Sequence, residues 1–539
     1  MAPVQDAGRA FRLMIAMLAR VLSGTPWGVE TLPVQVEVDA RFGLPQLQLV
    51  GLPDAAVRES RERVRSAIRH CGYELPPRSV VINLAPADLR KEGNHLDLAI
   101  ALALMVAHDH LPAELLAGRL CCGELGLDGA LRPVRGALAF AELAREIGAQ
   151  ELLVPASNAE EAAALGGMLA VIAVGTLDEA LAHLRGERPI APMSTPAFPR
   201  PFHAGASDLA DVRGQAMPKR ALEIAAAGAH NLIFIGPPGS GKTMLARRLP
   251  GILPPLCRSE AIAVTKIHSL AGEIAAGGLR CERPFRSPHA HTSGAGLIGG
   301  GSVPRPGEVS LAHAGVLFLD ELPEFRRDVL EALRQPIEDG VVSIVRSRAR
   351  LSFPARFTLV AAMNPCPCGH LGDPRRPCRC PEGTVERYRA RISGPLLDRI
   401  DLQVEVPVPS AAELRAEGGE SSAAVAARVA AARRRQEARF AGRPLPVNAA
   451  MDARDLRRWC ALDEKSQRLA DAAFERLGLS ARALARLLKV ARTIADLGGH
   501  DRIHTTHVAE ALQYRCLDRP LARQPTSPLA GVRAAARVS

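Results

Sequence analysis

The sequence predicts an α/β fold in three successive parts: an α/β domain, a second α/β domain built on a parallel sheet, and a C-terminal helical domain. Three observations predict this division. Short apolar runs typical of β-strands alternate with helical patterns over residues 17–188 and again over residues 207–409. Residues 189–206 between them are rich in proline, which fixes φ and resists helix, so we expect a linker there. Residues 410–518 follow an almost wholly helical pattern.

The composition limits the class of protein. The chain has 539 residues, of which 47% are hydrophobic, so it can build several cores. Its eleven cysteines are scattered apart from one group, which favours a reducing compartment over a secreted disulfide scaffold. No apolar run approaches the ~18–20 residues that span a bilayer, so we expect a cytoplasmic protein without a membrane partner. The net charge of +11 permits binding to a polyanion without establishing it.

The first domain is predicted from alternating short strands and longer helices. The strands are expected at residues 34–38, 80–84 and 151–154, and the helices at residues 55–70, 96–107 and 136–147. At the other end of the chain, residues 519–539 lack an apolar period and are expected to be disordered.

The second domain opens with a phosphate-binding signature. The apolar strand 231–235 runs into a glycine-rich loop, and a helical pattern follows at residues 244–249. Successive backbone N–H groups of such a loop turn inward around phosphates, and its lysine reaches the β- and γ-phosphates. The threonine that ends the loop would ligate Mg²⁺ through its hydroxyl. This signature predicts an ATP hydrolase whose nucleotide-binding residues are Gly236, Pro237, Pro238, Gly239, Ser240, Gly241, Lys242 and Thr243.

Two further strands of this domain end in polar residues. After the strand 315–319, Asp320 can hold Mg²⁺ and Glu321 can act as general base on the attacking water. The alternative is an ordinary exposed strand end. After the strand 357–362, Asn364 can hold the attacking water in line with the γ-phosphate, or it can be a plain turn residue before Pro365.

A cysteine cluster follows Asn364. Four thiols within a short stretch on tight turns are what a tetrahedral Zn²⁺ site requires, although the C-x-C spacing is tighter than usual. The sequence leaves two interpretations open, a structural Zn²⁺ ion or unliganded thiols. The four residues are Cys366, Cys368, Cys378 and Cys380.

Several motifs, in their order along the chain, resemble the YifB/ComM family of magnesium-chelatase-like AAA+ ATPases. Besides the phosphate-binding loop, the sequences ADVRGQ, PRPGE, FLDELPE, NPCPCG, SGPLLDRID and LKVARTIADL carry the resemblance, at residues 210–215, 304–308, 318–324, 364–369, 393–401 and 488–497. The resemblance runs from about residue 17 to residue 518. Members of the family begin near Met17, so residues 1–16 are expected to be an extension without order.

The resemblance implies a nucleotide-dependent homo-hexamer with ATP bound between subunits. Arg399 matches the arginine finger of the family, which stabilises the charge on the transferring phosphoryl group of a neighbouring subunit. From the residues alone, Arg399 could equally form a surface ion pair with Asp398 and Asp401. Arg482 matches the sensor arginine of the family's lid helix. From the residues alone, Arg482 could instead belong to a solvated basic face of that helix. Arg486 is the alternate for the sensor role.

The resemblance also gives the first domain a fold, that of the Lon-protease-like domain, related to domain 2 of ribosomal protein S5. A Lon-type peptidase needs a serine nucleophile and a lysine base. Here His95 stands in the serine's place and Leu138 in the lysine's. The domain is therefore expected to be non-proteolytic.

The motor is expected to act on single-stranded or branched DNA, without sequence preference. Residues 339–353 read as a hairpin, and in related helicases a hairpin at this place grips the DNA backbone in the central pore. Arg346, Arg348 and Arg350 would share a face if the tip stays extended; the alternative is an exposed charged turn. The resemblance implies a helicase that promotes branch migration when incoming DNA recombines in natural transformation. The competing hypothesis is an ATPase that remodels proteins, as the magnesium-chelatase motor does.

Overall fold

A computed structural model describes residues 17–198, 208–273, 278–301, 304–346, 349–373, 375–415, 418–443 and 445–518. The predicted extension 1–16, the tail 519–539 and the linker residues 199–206 lie outside this range. The chain divides into two compact units. The first comprises Met1–Ala204, Pro255–Leu317 and Phe325–Phe357, and the second comprises Gly205–Pro254, Phe318–Glu324 and Thr358–Ser539. The predicted core of residues 207–409 thus contributes to both units.

The first 180 or so described residues form an α/β domain. Its strands are β1 (Met17–Trp27), β2 (Glu30–Arg41), β3 (Gln46–Val50), β4 (Ser79–Ala85), β5 (Arg119–Cys121), β6 (Glu124–Leu125), β7 (Leu131–Arg132), β8 (Glu151–Pro155) and β9 (Ala170–Val174). Its helices are α1 (Ala55–His70), α2 (Asp97–Ala107), α3 (Ala137–Glu146), α4 (Ala159–Ala163) and α5 (Leu177–Leu184). The predicted strands and helices of this region are confirmed, and several strands extend beyond the predicted ends.

Seven of these strands form one mixed sheet, in the order β3-β4-β2-β1-β5-β8-β9. The hairpin β1–β2 is antiparallel, whereas β5, β8 and β9 run parallel. Helix α1 begins where Asp54 accepts a hydrogen bond from the N–H of Val57, and it buries one apolar face. Every residue of α2 is buried, which explains why its sequence is apolar on all sides.

The middle of the chain adds nine strands and ten short helices. The strands are β10 (Leu232–Ile235), β11 (Phe285–Arg286), β12 (Gly299–Gly300), β13 (Arg305–Pro306), β14 (Val316–Leu319), β15 (Val341–Arg346), β16 (Ala349–Pro354), β17 (Thr358–Met363) and β18 (Leu402–Glu405). The helices are α6 (Ala216–Gly228), α7 (Lys242–Ala246), α8 (Arg258–Ala271), α9 (Gly294–Ile298), α10 (Glu308–Leu311), α11 (Arg327–Ala332), α12 (Arg334–Asp339), α13 (Glu382–Arg389), α14 (Gly394–Leu397) and α15 (Ala411–Arg415).

In the second unit, β10 lies between two parallel neighbours. Leu232 is opposite Val360 of β17 on one side and Leu402 of β18 on the other. Strand β14 follows β17 in the strand order. All residues of β10, β14 and β17 are buried, so these strands read as uninterrupted apolar runs, as the sequence predicted. Asp320 and Asn364 therefore follow strands that are buried along their whole length.

The C-terminal part of the second unit is helical, as predicted. Its helices are α16 (Ser422–Arg439), α17 (Ala453–Trp459), α18 (Glu464–Leu477), α19 (Ala481–Leu497) and α20 (Thr505–Gln513). In helix α19, Leu487, Val490 and Ile494 lie in the core, whereas Leu484 and Leu488 are half-buried. No helix among the described residues combines the length and apolarity that crossing a membrane requires.

Candidate functional site

The loop between β10 and α7 is shaped by two glycines. Gly241 has a φ of +92°, in the left-handed region that other residues rarely adopt. A Cβ on Gly236 would lie 2.2 Å from the carbonyl oxygen of Val406, so a side chain does not fit where β10 leaves the sheet. Inside the loop, the buried Oγ of Ser240 has no hydrogen-bond partner among the described residues. This loop, with an unpaired buried oxygen, fits the predicted phosphate-binding role.

Lys242 opens α7 and points into the loop. Its Nζ donates to the carbonyl oxygens of Gly236 at 2.7 Å and Pro237 at 3.0 Å. A third, longer bond of 3.3 Å reaches Asn364 Oδ1, at the end of β17. Burial lowers the pKa of Lys242 below its ordinary value, while Asp320 and Glu321 act in the opposite direction. The lysine and the asparagine singled out in the sequence therefore lie together.

Thr243 and Asp320 also meet, although 77 positions separate them in the chain. The Thr243 hydroxyl donates to Asp320 Oδ2 at 2.7 Å. A hydroxyl and a carboxylate are the hard oxygen ligands that Mg²⁺ prefers, so these two residues fit the metal role expected of them. The second oxygen of Asp320 accepts the backbone N–H of Glu321 at 2.9 Å, which fixes the carboxylate.

Glu321 has a strained backbone. Its φ is +50°, in the left-handed region, and its side chain is exposed. A non-glycine residue held in this region costs on the order of 1–3 kcal/mol and persists where its surroundings enforce it, often at functional sites. No sequence pattern indicated this conformation.

Gln215, the last residue of the ADVRGQ sequence, also belongs to this site, and no sequence pattern indicated its role. It is 7% exposed and also left-handed, with a φ of +56°. Its Nε2 donates to the carbonyl oxygen of Ser240 at 3.2 Å and to that of Pro407 at 2.6 Å. The side chain thus fastens the phosphate-binding loop to the segment after β18. Its buried Oε1 has no partner among the described residues, a second unpaired oxygen beside the loop.

We expect Gln215→Gly to weaken ATP binding about tenfold, because a lost buried hydrogen bond costs about 1–3 kcal/mol. Glycine keeps the left-handed backbone without strain, so the change removes only the side-chain bonds. Nucleotide titration measures the effect. Gln467→Ala, at an exposed position of α18, is the control and should bind ATP as the unchanged protein does. Equal affinities for Gln215→Gly and the unchanged protein would show that the two side-chain hydrogen bonds of Gln215 are not needed for ATP binding.

The segment after Asn364 contains the cysteine cluster. The four Sγ atoms of Cys366, Cys368, Cys378 and Cys380 all lie within 4.8 Å of one another. Tyr388 of α13 packs on this side of the site; burial raises its pKa to about 12, and Glu324 contributes in the same direction. The backbone of Asn364 acts in the opposite direction on this pKa, so Tyr388 lies close to the asparagine.

Arg399 is not a surface residue in this chain. It is 5% exposed, and its Nη1 donates to the carbonyl oxygen of Pro395 at 2.6 Å, within its own helical turn. Asn231, just before β10, donates to the carbonyl oxygen of Arg399 at 3.0 Å. A role across a subunit interface would require the guanidinium to turn outward from this position. Because Arg399 is buried, an ion pair that it formed would not be a surface one.

The two arginines considered on α19 differ. Arg482 is exposed at the start of the helix, whereas Arg486 donates to Asp401 Oδ1 at 2.9 Å. The other oxygen of Asp401 lies 3.0 Å from Nδ1 of the buried His230, whose Nε2 lies 2.8 Å from Thr493 Oγ1. Burial raises the pKa of Asp401, but the His230 contact and the nearby cations outweigh it and leave that pKa lowered. Arg486, the alternate, is therefore the arginine linked to the SGPLLDRID segment.

The predicted hairpin is present as β15 and β16. Its register places Arg346 opposite Ala349 and Val345 opposite Arg350. The shared face expected of the three arginines stays a prediction. Arg348 lies outside the described residues.

His95 and Leu138 lie inside the first domain. His95 is 6% exposed, its ring centroid is 5.4 Å from that of Phe140, and burial lowers its pKa to about 4. Leu138 is fully buried in α3. Both side chains are thus packed in the interior of this domain.

The chain matches three family descriptions in succession. Residues 36–158 match Subunit ChlI of Mg-chelatase, residues 208–414 match Magnesium chelatase, subunit ChlI, and residues 419–515 match the C-terminal region of that subunit.

Proteins similar along nearly the whole chain are also known. The YifB protein of Escherichia coli is 48% identical over 497 residues, 92% of this chain and 96% of that protein. Competence protein ComM of Haemophilus influenzae is 44% identical over 510 residues, 94% of this chain and 98% of that protein. A shorter match, 26% identical over 207 residues, covers 34% of this chain and 54% of the Magnesium-chelatase 38 kDa subunit of Acidiphilium rubrum. The chain therefore belongs to the family of magnesium-chelatase-like AAA+ ATPases that includes YifB and ComM, a family whose membership implies the use of a nucleotide and Mg²⁺.

Proposed function

We propose that this protein is a cytoplasmic, ATP-driven DNA motor: a homo-hexameric helicase that promotes branch migration when incoming DNA recombines during natural transformation. The observation that carries the ATPase part is the convergence of Lys242 with Asn364 and of Thr243 with Asp320 at one end of a buried sheet. The DNA part is supported by the 44% identity to a protein named for competence, and by the net charge of +11.

Each residue of the site has a defined task in this proposal. The loop from Gly236 to Thr243 and the ammonium of Lys242 bind the phosphates, and the oxygens of Thr243 and Asp320 hold Mg²⁺. Mg²⁺ supplies the charge that neutralises the phosphate oxygens when it is bound. Glu321 accepts the proton of the attacking water, and the Asn364 amide orients that water.

Two arginines complete the proposed site in the assembled ring. Arg399 reaches the γ-phosphate of a neighbouring subunit after turning outward, and Arg482 of the lid helix contacts the nucleotide, with Arg486 as its alternate. Zn²⁺ is proposed as a structural ion at the four cysteines. Single-stranded or branched DNA is proposed as the partner, held through Arg346, Arg348 and Arg350 without sequence preference.

DNA should stimulate ATP hydrolysis if the motor acts on it. We expect branched and single-stranded DNA to raise the rate, and the double variant Arg346→Ala/Arg348→Ala to lose this stimulation while it keeps its basal rate. Each lost phosphate contact should also reduce the slope of log affinity against log salt by about 1. Arg468→Ala/Arg476→Ala removes the same charge from exposed positions of α18 and is the matched control. Unchanged hydrolysis on every DNA tested would contradict the DNA motor.

A protein-remodelling ATPase is the second candidate, because all three matching families are described by magnesium chelatase, and the shorter match is to its 38 kDa subunit. This candidate predicts full ATPase activity that DNA does not change. The same measurement therefore separates the two.

A further inference from the structure

The cysteine cluster has the geometry of a single-ion tetrathiolate site. Cys366 Sγ lies 3.4 Å from Cys368 Sγ and 3.6 Å from Cys378 Sγ, and the latter two are 3.7 Å apart. Four sulfurs bound to one tetrahedral Zn²⁺ at about 2.3 Å lie about 3.8 Å from one another. The fourth sulfur, of Cys380, falls within the same 4.8 Å group. One metal ion fits between them.

Other arrangements of four thiols fit these distances less well. A disulfide needs a sulfur–sulfur distance of about 2.05 Å, and these cysteines are free. In an iron–sulfur cluster the four cysteine sulfurs are divided among two or more iron atoms, so they do not all lie as close together as four sulfurs that share one ion. Four thiols that pack without an ion gain little from converging on one point, particularly because Cys368 is exposed. Soft thiolate ligands in a tetrahedral set favour Zn²⁺ among the common divalent ions.

The cluster is built directly onto the nucleotide site. Asn364, whose Oδ1 accepts from Lys242 Nζ, is two positions before the first cysteine. Gly369, inside the knuckle formed by residues 366–380, has a φ of +81° and accepts no side chain, because a Cβ there would lie 2.6 Å from Cδ and 2.9 Å from Cγ of Pro238. The knuckle therefore touches the phosphate-binding loop through Pro238 and sets the position of Asn364 at the same time.

The far end of the knuckle is also tied to the site. Helix α13 begins two residues after Cys380, and its Tyr388 lies close to Asn364, whose backbone acts to lower the pKa of the tyrosine. Without a cross-link, the described residues between β17 and α13 form turns and bends but no helix or strand. A metal bound at both of its ends removes most of the conformational freedom of this loop, in the way that other structural zinc sites do.

We infer that the four cysteines hold one Zn²⁺ ion, and that this zinc knuckle positions Asn364 and Pro238 for ATP hydrolysis, so that turnover depends on the metal. The cysteines are positioning residues: they act on the reaction through the asparagine and the loop. The inference rests on the proposed ATPase activity, but not on DNA as the substrate.

Metal analysis of the full-length protein, purified from zinc-supplemented cells without chelator, tests the site. We expect about one zinc per chain, and visible absorption bands of tetrahedral thiolate coordination after exchange with Co²⁺. Cys368→Ser and Cys378→Ser should each lose the zinc. Cys257→Ser, at an exposed free cysteine, is the matched control and should keep it. Less than about one zinc per two chains in the unchanged protein would overturn the metal site.

ATP hydrolysis by the same variants tests the coupling. A misplaced catalytic group costs on the order of tenfold to a hundredfold in rate, so we expect losses of that size for Cys368→Ser and Cys378→Ser and none for Cys257→Ser. Circular dichroism establishes that each variant is folded. Gly369→Ala leaves the thiols intact but presses on Pro238, and should bind zinc normally yet weaken ATP binding.

The outcomes separate the parts of the inference. Folded variants that lose zinc but hydrolyse ATP at the normal rate would overturn the coupling. Normal ATP binding by Gly369→Ala would contradict the contact between knuckle and loop. If the unchanged protein binds zinc but hydrolyses no ATP in the presence of Mg²⁺, the ATPase proposal fails while the metal site stands.

Discussion

Glu321→Gln should bind ATP normally and hydrolyse it about 10²–10⁴ times more slowly, the range that general-base catalysis typically contributes. Glutamine has nearly the size of glutamate and fits the same left-handed backbone, so the substitution removes the proton acceptor and little else. The contacts between Lys242 and its loop, and between Thr243 and Asp320, do not involve the Glu321 side chain. The affinity for nucleotide should therefore be unchanged, whereas the rate of single-turnover hydrolysis should fall by the stated factor.

Glu324→Gln is the matched control for this experiment. Glu324 is three residues further along, exposed, and paired with Arg391 at 3.1 Å. Its substitution removes the same charge from the same side of the sheet, but from a carboxylate that is already engaged, so we expect a change of less than about tenfold, as for a surface ion pair. Full turnover by Glu321→Gln would exclude Glu321 as the base. An equal loss of hydrolysis rate in both variants would instead indicate that the negative charge of this region matters, and not proton transfer to Glu321.

Features that depend on neighbouring residues in the chain were predictable from the sequence. The buried strands β10, β14 and β17 are uninterrupted apolar runs, and the residues after each of them emerge at a sheet end, so Lys242, Thr243, Asp320 and Asn364 could be selected before any coordinates were known. The helical character of residues 410–518 was likewise predictable, because apolar positions recur there with the helical period.

Features that depend on distant contacts were not predictable in the same way. The left-handed backbone of Glu321 is enforced by its surroundings, not by its residue type. Gln215 acquires its role because Ser240 and Pro407, far apart in sequence, come within reach of one side chain. The burial of Arg399 and the pairing of Arg486 with Asp401 likewise follow from how the chain folds back on itself.

Lys242→Ala should lose the phosphate contacts and weaken ATP binding by at least tenfold, up to about a hundredfold, since hydrogen bonds to a charged group are worth about 1.5–3 kcal/mol. Hydrolysis should fall at least as far, because the same ammonium lies 3.3 Å from Asn364 Oδ1 and helps to place it. This defect differs from that of Glu321→Gln, which should bind nucleotide normally but hydrolyse it slowly.

Thermal unfolding with and without nucleotide distinguishes lost binding from lost folding. A ligand that binds only the folded state stabilises it by RT ln(1 + [L]/Kd), about 2.7 kcal/mol at a hundredfold excess over Kd. The unchanged protein and Glu321→Gln should both show this rise in melting temperature with ATP and Mg²⁺, whereas Lys242→Ala should not. Lys465→Ala, at an exposed position of α18, is the control for loss of a lysine charge.

The melting temperature of Lys242→Ala without nucleotide measures how much the lysine stabilises the loop itself. The ammonium donates to the carbonyl oxygens of Gly236 and Pro237, so its loss removes two bonds from the loop itself and should lower the melting temperature modestly. A variant that melts lower but still gains stability from ATP would show that Lys242 supports the loop and is not needed for phosphate binding. A variant that loses the gain would assign Lys242 to the nucleotide, and together with Glu321→Gln it would separate the binding step from the hydrolysis step.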